Sequence, residues 1–253
     1  MTARYSRAGN QHLLFDGELL DTHAIEMFNA PASNPGFVPD RPPGGRGGAY
    51  FIGVGDRIGV MRHYRRGGLI GRVVRDEYLW LGLERSRPWR EWNLLAELFD
   101  SGLPVPRPVA AHVSRHGCYY RGALLTLALP NTQSIAERAR RTELPEEIWH
   151  RIGTVIHAFH EYGVRHPDLN AHNILADENG EIFLIDFDKG KACIGALSTR
   201  SAHGNLARLR RSLDKLVGNG LILPVNARSW GALLDGYRFR PTEVPKQSNR
   251  VEG

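Results

Sequence analysis

Apolar positions along the chain follow two periods, one typical of strands and one typical of helices. Strand-like alternation covers residues 50–64, interrupted at Gly55-Asp56, and residues 109–127, interrupted near Gly117. These segments predict two antiparallel hairpins. A third hairpin is expected over residues 12–20, with Asp16-Gly17 as its turn, and a helical segment is expected over residues 21–29.

Helical spacing dominates the later part of the chain. Residues 88–99 place Trp92, Leu95 and Phe99 on one face, and Gly102 is a plausible stop for that helix. The same spacing predicts helices over residues 134–139, 148–162, 203–217 and 229–237. Strands followed by helices indicate an α+β fold, with a small antiparallel sheet and a larger, mainly helical part.

Composition narrows the class of protein. In 253 residues, 42% hydrophobic and 24% charged content is ordinary for a globular protein. The two cysteines, Cys118 and Cys193, have neither metal-ligand spacing nor the number that a disulfide framework needs. We expect no signal peptide and no membrane-spanning segment, because no apolar run is long enough.

The charge indicates an anionic partner. Lys+Arg 33 against Asp+Glu 27 gives a net charge of +6, which favours nucleic acid, phospholipid or a phosphorylated substrate. The first lysine in the chain is Lys189, so any cation needed earlier must be arginine. Arginine binds phosphate and carboxylate in a bidentate fork.

The stretch His166-Pro167-Asp168-Leu169-Asn170-Ala171-His172-Asn173 carries the strongest chemical signal. An apolar run then ends in Asp186-Phe187-Asp188. Phosphoryl transfer requires a carboxylate near the acceptor hydroxyl, and an amide oxygen and a second carboxylate for Mg²⁺. We therefore predict Asp168 as the catalytic residue and Asn173 and Asp186 as metal ligands. A simple hairpin turn is the alternative, but helix, loop, hairpin and acid occur in the order that the mechanism requires.

Residues upstream supply candidates for nucleotide binding. Gly45, Gly47 and Gly48 belong to a glycine-rich approach that can bring the main chain close to phosphates, although such a turn is often only a flexible loop. Arg62 ends the string Gly59-Val60-Met61-Arg62, where kinases carry a phosphate-binding lysine.

An acidic partner for Arg62 is expected on the helix over residues 88–99. Glu91 is the preferred candidate, and Glu97, nearly on the opposite face, is the rival. Further arginines between residues 65 and 90 suggest an anionic substrate, or simply a solvated surface. His157 and His160 are interpreted as packed or surface histidines rather than ligands.

With these motifs together, the chain resembles the 3-deoxy-D-manno-octulosonic acid (Kdo) kinases of Gram-negative bacteria, in the lipopolysaccharide kinase group of the protein-kinase-like fold. The most specific segments are residues 61–68, 166–175, 185–188 and 205–213. The resemblance implies a bilobal structure. We expect a small lobe over residues 1–128, a large lobe over residues 129–240 and a disordered tail over residues 241–253.

The resemblance also implies a reaction and a location. ATP with Mg²⁺ would phosphorylate the 4-hydroxyl of Kdo on a Kdo-bearing lipid A precursor. The protein would be peripheral on the cytoplasmic side of the inner membrane, attracted by its anionic surface. Two positions depart from the general kinase pattern: Arg62 replaces lysine, and Asp188 replaces the glycine of D-F-G and adds a metal ligand or nothing.

Other functions stay open on the residues alone. A kinase for a heptose or another small molecule would use the same core, whereas the missing A-P-E segment argues against protein substrates. A kinase-like binding module and an arginine-rich nucleic-acid binder are the non-enzyme alternatives. We expect no nucleic-acid partner, because the basic residues lack interleaved aromatics, and no required protein partner is evident.

Overall fold

The computed structural model describes residues 1–28, 37–38, 49–64 and 77–238, with residues 37–38 described by their main chain alone. The chain divides into two compact units. Unit 1 comprises Met1–Glu97 and Pro106–Leu129, and unit 2 comprises Leu98–Val105 and the chain from Pro130 onward. The roles assigned to the two lobes stay predictions, and the predicted tail lies outside the described residues.

Unit 1 is built on an eight-stranded sheet in which every pairing is antiparallel. Its strands are β1 (Ala3–Ala8), β2 (Gln11–Asp16), β3 (Phe37–Val38), β4 (Ala49–Val54), β5 (Arg57–His63), β6 (Tyr78–Leu79), β7 (Pro108–His116) and β8 (Tyr119–Leu127). The order is β1-β2-β7-β8-β5-β4-β3, and β6 pairs with β8. Among the described residues, unit 1 also contains two 3-10 helices (Thr22–Phe28 and Leu83–Arg85) and most of helix α1 (Arg87–Asp100), whose last three residues belong to unit 2.

Two of the three predicted hairpins are confirmed. Gly55, with φ 60°, allows the tight turn between β4 and β5, and Gly117, with φ 59°, does the same between β7 and β8. Side chains from both hairpins, including Ile52, Met61 and Leu125, are fully buried in the core of the unit. The sheet therefore fixes β5, and with it Arg62, between two paired neighbours.

The hairpin expected over residues 12–20 is wrong. β2 pairs instead with the preceding strand β1, and Gly9, with φ 59°, provides the turn between them. Asp16 does not lead into a second strand, because its fully buried carboxylate accepts hydrogen bonds from Arg107, 2.8 Å away through Nε, and from the main chain of Glu18. The helical segment expected over residues 21–29 is the 3-10 helix Thr22–Phe28.

Unit 2 is mainly helical. Its elements are β9 (Gln133–Ser134), α2 (Ile135–Arg138), α3 (Glu146–Glu161), β10 (Val164–Arg165), β11 (Ile174–Ala176), β12 (Ile182–Leu184), β13 (Lys191–Ala192), α4 (Thr199–Gly218) and α5 (Ala227–Arg238). β9, β11 and β12 form a small antiparallel sheet, and β10 pairs with β13. The predicted α+β class, a small antiparallel sheet and a larger helical part, is confirmed.

Close packing of α3 on α5 depends on two glycines. A Cβ on Gly153 would lie 2.0 Å from the carbonyl oxygen of Leu233, and a Cβ on Gly236 would lie 1.9 Å from that of His150. Helix α3 ends before Gly163, which adopts φ 94° as a left-handed terminator. That turn sends the chain directly into β10 and the loop that carries Asp168.

None of the helices within the described ranges has both the length and the apolar character needed to cross a bilayer.

Candidate active site

Asp168 lies in the loop between β10 and β11, and the side chains of two asparagines hold that loop in shape. Nδ2 of Asn170 donates to Oδ2 of Asp168 (3.1 Å), and Nδ2 of Asn173 donates to the carbonyl oxygen of Asp168 (3.0 Å). Oδ1 of Asn170 accepts the main-chain N–H of His172 at 2.8 Å. The Asp168 side chain keeps 59% of its surface exposed. The result is a fixed main chain with an accessible carboxylate.

Asn173 and Asp186 are brought together by the pairing of β11 with β12. The N–H of Ile185 donates to the carbonyl oxygen of Asn173 at 3.1 Å, and Asp186 follows directly. Within the described residues, the amide oxygen Oδ1 of Asn173 accepts no hydrogen bond. Asp186 itself adopts φ 67°, a left-handed conformation that is unusual for a residue with a side chain. Two oxygen-bearing side chains thus lie at one end of the small sheet.

His166 connects the loop of Asp168 to the strand that leads to Asp186. Its Nδ1 accepts the main-chain N–H of Asp168 (3.2 Å), so its Nε2 carries the hydrogen and donates to the carbonyl oxygen of Ile185 (2.9 Å). The ring contacts Phe187, whose centroid is 4.6 Å away and which is fully buried. Burial, the largest cause, lowers the pKa of His166 to about 4, so the ring is neutral at pH 7.

Asn205, on the buried face of α4, holds the same loop from the other side. Its Nδ2 donates to the carbonyl oxygen of His166 (2.9 Å), and its Oδ1 accepts the main-chain N–H of His166 (3.2 Å). His160 donates from Nε2 to the same Oδ1 at 3.0 Å, and its Nδ1 accepts the hydroxyl of Tyr237 at 2.9 Å. A buried polar network therefore joins α3, α4 and α5 to the loop of Asp168.

Sequence reasoning did not assign a role to Asn205. The available signal was a polar residue on the apolar face of an amphipathic helix, beside the buried Leu206 and Leu209. Buried polar groups need partners, so such a residue points to a hydrogen-bonding role. His160 is a packed histidine, in agreement with its interpretation, and desolvation by burial lowers its pKa.

Arg208 places a guanidinium next to the candidate catalytic carboxylate. Its Nη1 donates to Oδ1 of Asp168 at 3.2 Å, and its side chain is 44% exposed. Asp168 thus has a cation on one side and the amide of Asn170 on the other. This contact, too, was absent from the sequence-based prediction.

Unit 1 contains the predicted pair of Arg62 and Glu91. Nη2 of Arg62 lies 2.6 Å from Oε1 of Glu91, whose side chain is 2% exposed. The second oxygen of Glu91 accepts the hydroxyl of Tyr64. The structure therefore joins Arg62 to Glu91, while the rival Glu97 is exposed farther along α1.

Aromatic contacts fix the position of the Arg62 guanidinium further. It stacks on the ring of Tyr64, 5.0 Å from the centroid, and Arg87 stacks on the same ring at 5.2 Å. Burial and then the neighbouring Glu91 raise the pKa of Tyr64 well above its usual value, so this hydroxyl stays a donor. Arg87 also donates to the hydroxyl of Tyr78 at 2.6 Å, so this arginine has a structural role.

Several predicted residues cannot be placed. Gly45, Gly47 and Gly48 lie outside the described residues, as do Arg65, Arg66, Arg72 and Arg75.

Asp188 is half-buried two residues beyond Asp186. In the part of the chain that the structure describes, no group of three or more His, Cys, Asp or Glu side chains is arranged to hold a metal ion.

The oxygens of Asn173 and Asp186 nevertheless suit a magnesium ion that arrives with a nucleotide. Mg²⁺ is usually bound through one or two protein oxygens together with substrate phosphates and water. The amide oxygen of Asn173, which accepts no hydrogen bond within the described residues, and the carboxylate of Asp186 are oxygens of that kind. Unit 2 therefore offers an exposed carboxylate, Asp168, and two further side chains that carry oxygens, Asn173 and Asp186, in one short stretch of chain.

Comparison with protein families gives one match that spans most of the chain. Residues 40–237 match the model described as "Lipopolysaccharide kinase (Kdo/WaaP) family". That range includes every candidate site residue in both units.

Curated relatives agree with this match, and each is named "3-deoxy-D-manno-octulosonic acid kinase". The protein of Xanthomonas campestris pv. campestris (strain B100) is 49% identical over 205 residues, 79% of this chain and 81% of the relative. That of Xanthomonas oryzae pv. oryzae (strain PXO99A) is 45% identical over 82% of each chain. That of Vibrio cholerae serotype O1 is 40% identical over 68% of this chain and 72% of the relative.

Among solved structures, the Cydia pomonella granulovirus kinase PK-1 has a TM-score of 0.39 and 12% sequence identity, covering 57% of this chain and 48% of that one.

Proposed function

The chain belongs to the lipopolysaccharide kinase (Kdo/WaaP) family, and on that premise we propose that it transfers the γ-phosphoryl group of ATP to the 4-hydroxyl of Kdo on a Kdo-bearing lipid A precursor. The chain is a kinase, a phosphotransferase with an alcohol group as acceptor. The family and the named relatives support ATP as donor and Kdo as acceptor.

One observation carries the proposal at the level of geometry. Nδ2 of Asn173 donates to the carbonyl oxygen of Asp168, and Oδ1 of Asn173 accepts no hydrogen bond within the described residues. The same contact fixes the main chain from which the exposed Asp168 carboxylate extends. A single hydrogen bond thereby connects the candidate catalytic residue to a candidate metal ligand.

Asp168 would orient the acceptor hydroxyl and accept its proton as the oxygen attacks the γ-phosphorus. Asn170 and Arg208 donate hydrogen bonds to its carboxylate. His166, neutral and fixed in one tautomer, keeps the main chain of Asp168 in place. Most of the acceleration would come from such positioning rather than from covalent chemistry.

Nucleotide phosphates would contact the residues of unit 1. Arg62, held by Glu91 and by the ring of Tyr64, would bind the α- and β-phosphates in place of the usual lysine. Gly45, Gly47 and Gly48 would present main-chain N–H groups to the phosphates.

Asn173 and Asp186 would hold Mg²⁺ through their side-chain oxygens. When bound with ATP, the ion would neutralise part of the negative charge on the phosphates. The left-handed conformation of Asp186 sets the direction of its carboxylate, and the hydrogen bond from Ile185 to Asn173 keeps the two ligands in register.

The substrate implies a location at the cytoplasmic face of the inner membrane, with the protein bound peripherally. The net charge of +6 and the exposed Arg208, Arg211 and Lys215 on α4 support attraction to an anionic surface.

The reaction is tested by transfer of ³²P from γ-labelled ATP, with Mg²⁺, to a Kdo-bearing lipid A precursor and to a Kdo-free precursor. We expect label only in the Kdo-bearing lipid. Equal label in both lipids would contradict Kdo as the acceptor, and label in a heptose-bearing lipid alone would favour the heptose kinase alternative.

The role of Asp168 is tested with Asp168→Asn, which keeps the shape of the side chain but cannot accept a proton. We expect turnover to fall by about 10³-fold, while nucleotide binding persists. Asp214→Asn, which removes an exposed acid from α4, serves as the control and should keep wild-type turnover. Full turnover by Asp168→Asn would refute the role assigned to Asp168.

A further inference from the structure

A guanidinium lies beside the candidate catalytic carboxylate. Acceptance of the hydroxyl proton by Asp168 does not require it. Arg208 comes from α4, 40 residues after Asp168 in the chain, and reaches Oδ1 of Asp168 at 3.2 Å. Both side chains are about half exposed, at 44% and 59%. Exposed ion pairs contribute little to stability, so this pair is not explained as a structural element.

The placement of Arg208 is nevertheless fixed by the fold. Asn205, three residues earlier and buried, bonds both the N–H and the carbonyl oxygen of His166. These two bonds set the register of α4 against the loop of Asp168. Because residues three apart on a helix are neighbours, Arg208 is held one turn from that fixed point.

The helix surface beside Arg208 is open on one side. Gly204 lies one turn before Arg208 on the same side of α4, and a Cβ built on Gly204 would meet no atom of the described residues within 4 Å. Gly204 itself therefore places no side chain between Arg208 and a ligand on this side of the helix.

We propose that Arg208 binds the carboxylate of the acceptor sugar and thereby selects an acidic sugar over a neutral one. This inference rests on the proposed function, because it takes Asp168 to face the acceptor hydroxyl. Kdo carries its carboxylate on C2 and its 4-hydroxyl on C4, and only the methylene carbon C3 separates these two ring carbons. One sugar ring can therefore present its hydroxyl to Asp168 and its carboxylate to Arg208, which are themselves in contact.

The chemistry of arginine suits this role. Its planar fork matches a carboxylate with two parallel hydrogen bonds, so the sugar carboxylate gains a partner in the geometry that arginine favours. A heptose has no carboxylate to offer, and it would leave the existing pair of Arg208 with Asp168 unchanged.

The alternative is that Arg208 binds the transferred phosphate, and a comparison of two acceptors separates these roles. One acceptor is the Kdo-bearing lipid A precursor, and the other is the same lipid with the Kdo carboxyl reduced to an alcohol. We expect wild-type kcat/KM to be lower for the reduced lipid by roughly 10- to 100-fold, the range for a hydrogen bond to a charged group. In Arg208→Gln the two acceptors should become nearly equal.

Two further variants sharpen the test. Lys215→Gln removes a positive charge from the exposed side of α4, two turns beyond Arg208, and should keep the wild-type ratio. Arg208→Lys keeps the charge without the fork, so its ratio should lie between those of wild type and Arg208→Gln. Each ratio compares kcat/KM for two acceptors on one variant, so it is independent of how much of that variant folds. If Arg208→Gln is insoluble, the ratio measured for Arg208→Lys tests the inference instead.

An unchanged ratio in Arg208→Gln, with both acceptors slowed equally, would overturn this inference and assign Arg208 to the phosphate, while leaving the proposed function intact. A wild-type enzyme that uses both acceptors equally would also overturn it. Failure of wild type to phosphorylate the Kdo-bearing lipid at all would overturn the proposed function and this inference together.

Discussion

His166 links the stability of the protein to pH. Its pKa is lowered from 6.5 to about 4 by burial, so between these values the unfolded chain binds a proton that the folded chain excludes. This contribution to stability is therefore complete above pH 6.5 and is lost progressively as the pH falls toward 4. The free energy of unfolding should decrease by about 2 kcal/mol from this histidine alone between pH 7.5 and pH 5.

Urea unfolding at those two pH values measures this effect in wild type and in His166→Gln. The variant should show a smaller difference between the two pH values, whatever its absolute stability. His116→Gln, which changes an exposed histidine of β7, should keep the wild-type difference. His112, whose pKa burial also lowers to about 4, contributes in the same direction to all three proteins.

The contacts of single residues show which parts of the candidate site could be predicted from the sequence. The pairing of Arg62 with Glu91 was accessible, because a strand-end cation and a helical acid have a known joint use in kinases. Asn205 and Arg208 were not accessible, because their partners His166 and Asp168 are 39 and 40 residues away in the chain. Without the path of the chain, the place of Asn205 on the apolar face of α4 indicates a hydrogen bond but not its partner, and nothing separates Arg208 from the other exposed polar residues of that helix.

Secondary structure elements were predictable where local signals determine them. Helix α1 was expected over residues 88–99 and is observed over Arg87–Asp100, since its apolar spacing and flanking prolines are local. The hairpin expected over residues 12–20 was wrong, because β2 pairs with β1 and with the distant β7, and within the described residues no strand directly follows Asp16 to pair with it. The turn at Asp16 is present, with main-chain hydrogen bonds from Leu19 and Leu20, but a local turn signal does not determine which strands pair.

The contact between α3 and α5 gives a prediction at this scale. Gly153→Ala should destabilise the protein by about 1–3 kcal/mol, because the added Cβ would lie 2.0 Å from the carbonyl oxygen of Leu233. Since α5 also carries Tyr237, which bonds His160 in the buried network that holds the loop of Asp168, activity should decline with stability. Thermal or urea unfolding measures the first effect, and turnover measures the second.

Gly231→Ala is the matched control for that substitution. Gly231 is also helical, in α5, but an added Cβ there would meet no atom of the described residues within 4 Å. Alanine is favoured over glycine in a helix by about 1 kcal/mol, so this variant should be as stable as wild type or more stable. Equal destabilisation by both substitutions would contradict the close approach of the two helices.

At the scale of the whole molecule, the excess of positive charge predicts salt-sensitive membrane binding. With a net charge of +6, the protein should sediment with vesicles containing anionic phosphatidylglycerol but not with vesicles of phosphatidylcholine alone. Binding should weaken between about 50 mM and 500 mM salt as screening increases. Equal binding to both vesicles, unaffected by salt, would contradict attraction by charge.

The use of arginine at position 62 has a consequence for covalent chemistry. Electrophilic ATP analogues commonly react with the amine of a kinase lysine beside the phosphates, and the lysines of this chain are Lys189, Lys191, Lys215 and Lys246. An arginine guanidinium stays protonated in proteins and is a poor nucleophile. Acylating nucleotide probes should therefore leave residue 62 unmodified, and an inhibitor that exploits arginine at this position would spare lysine-bearing kinases.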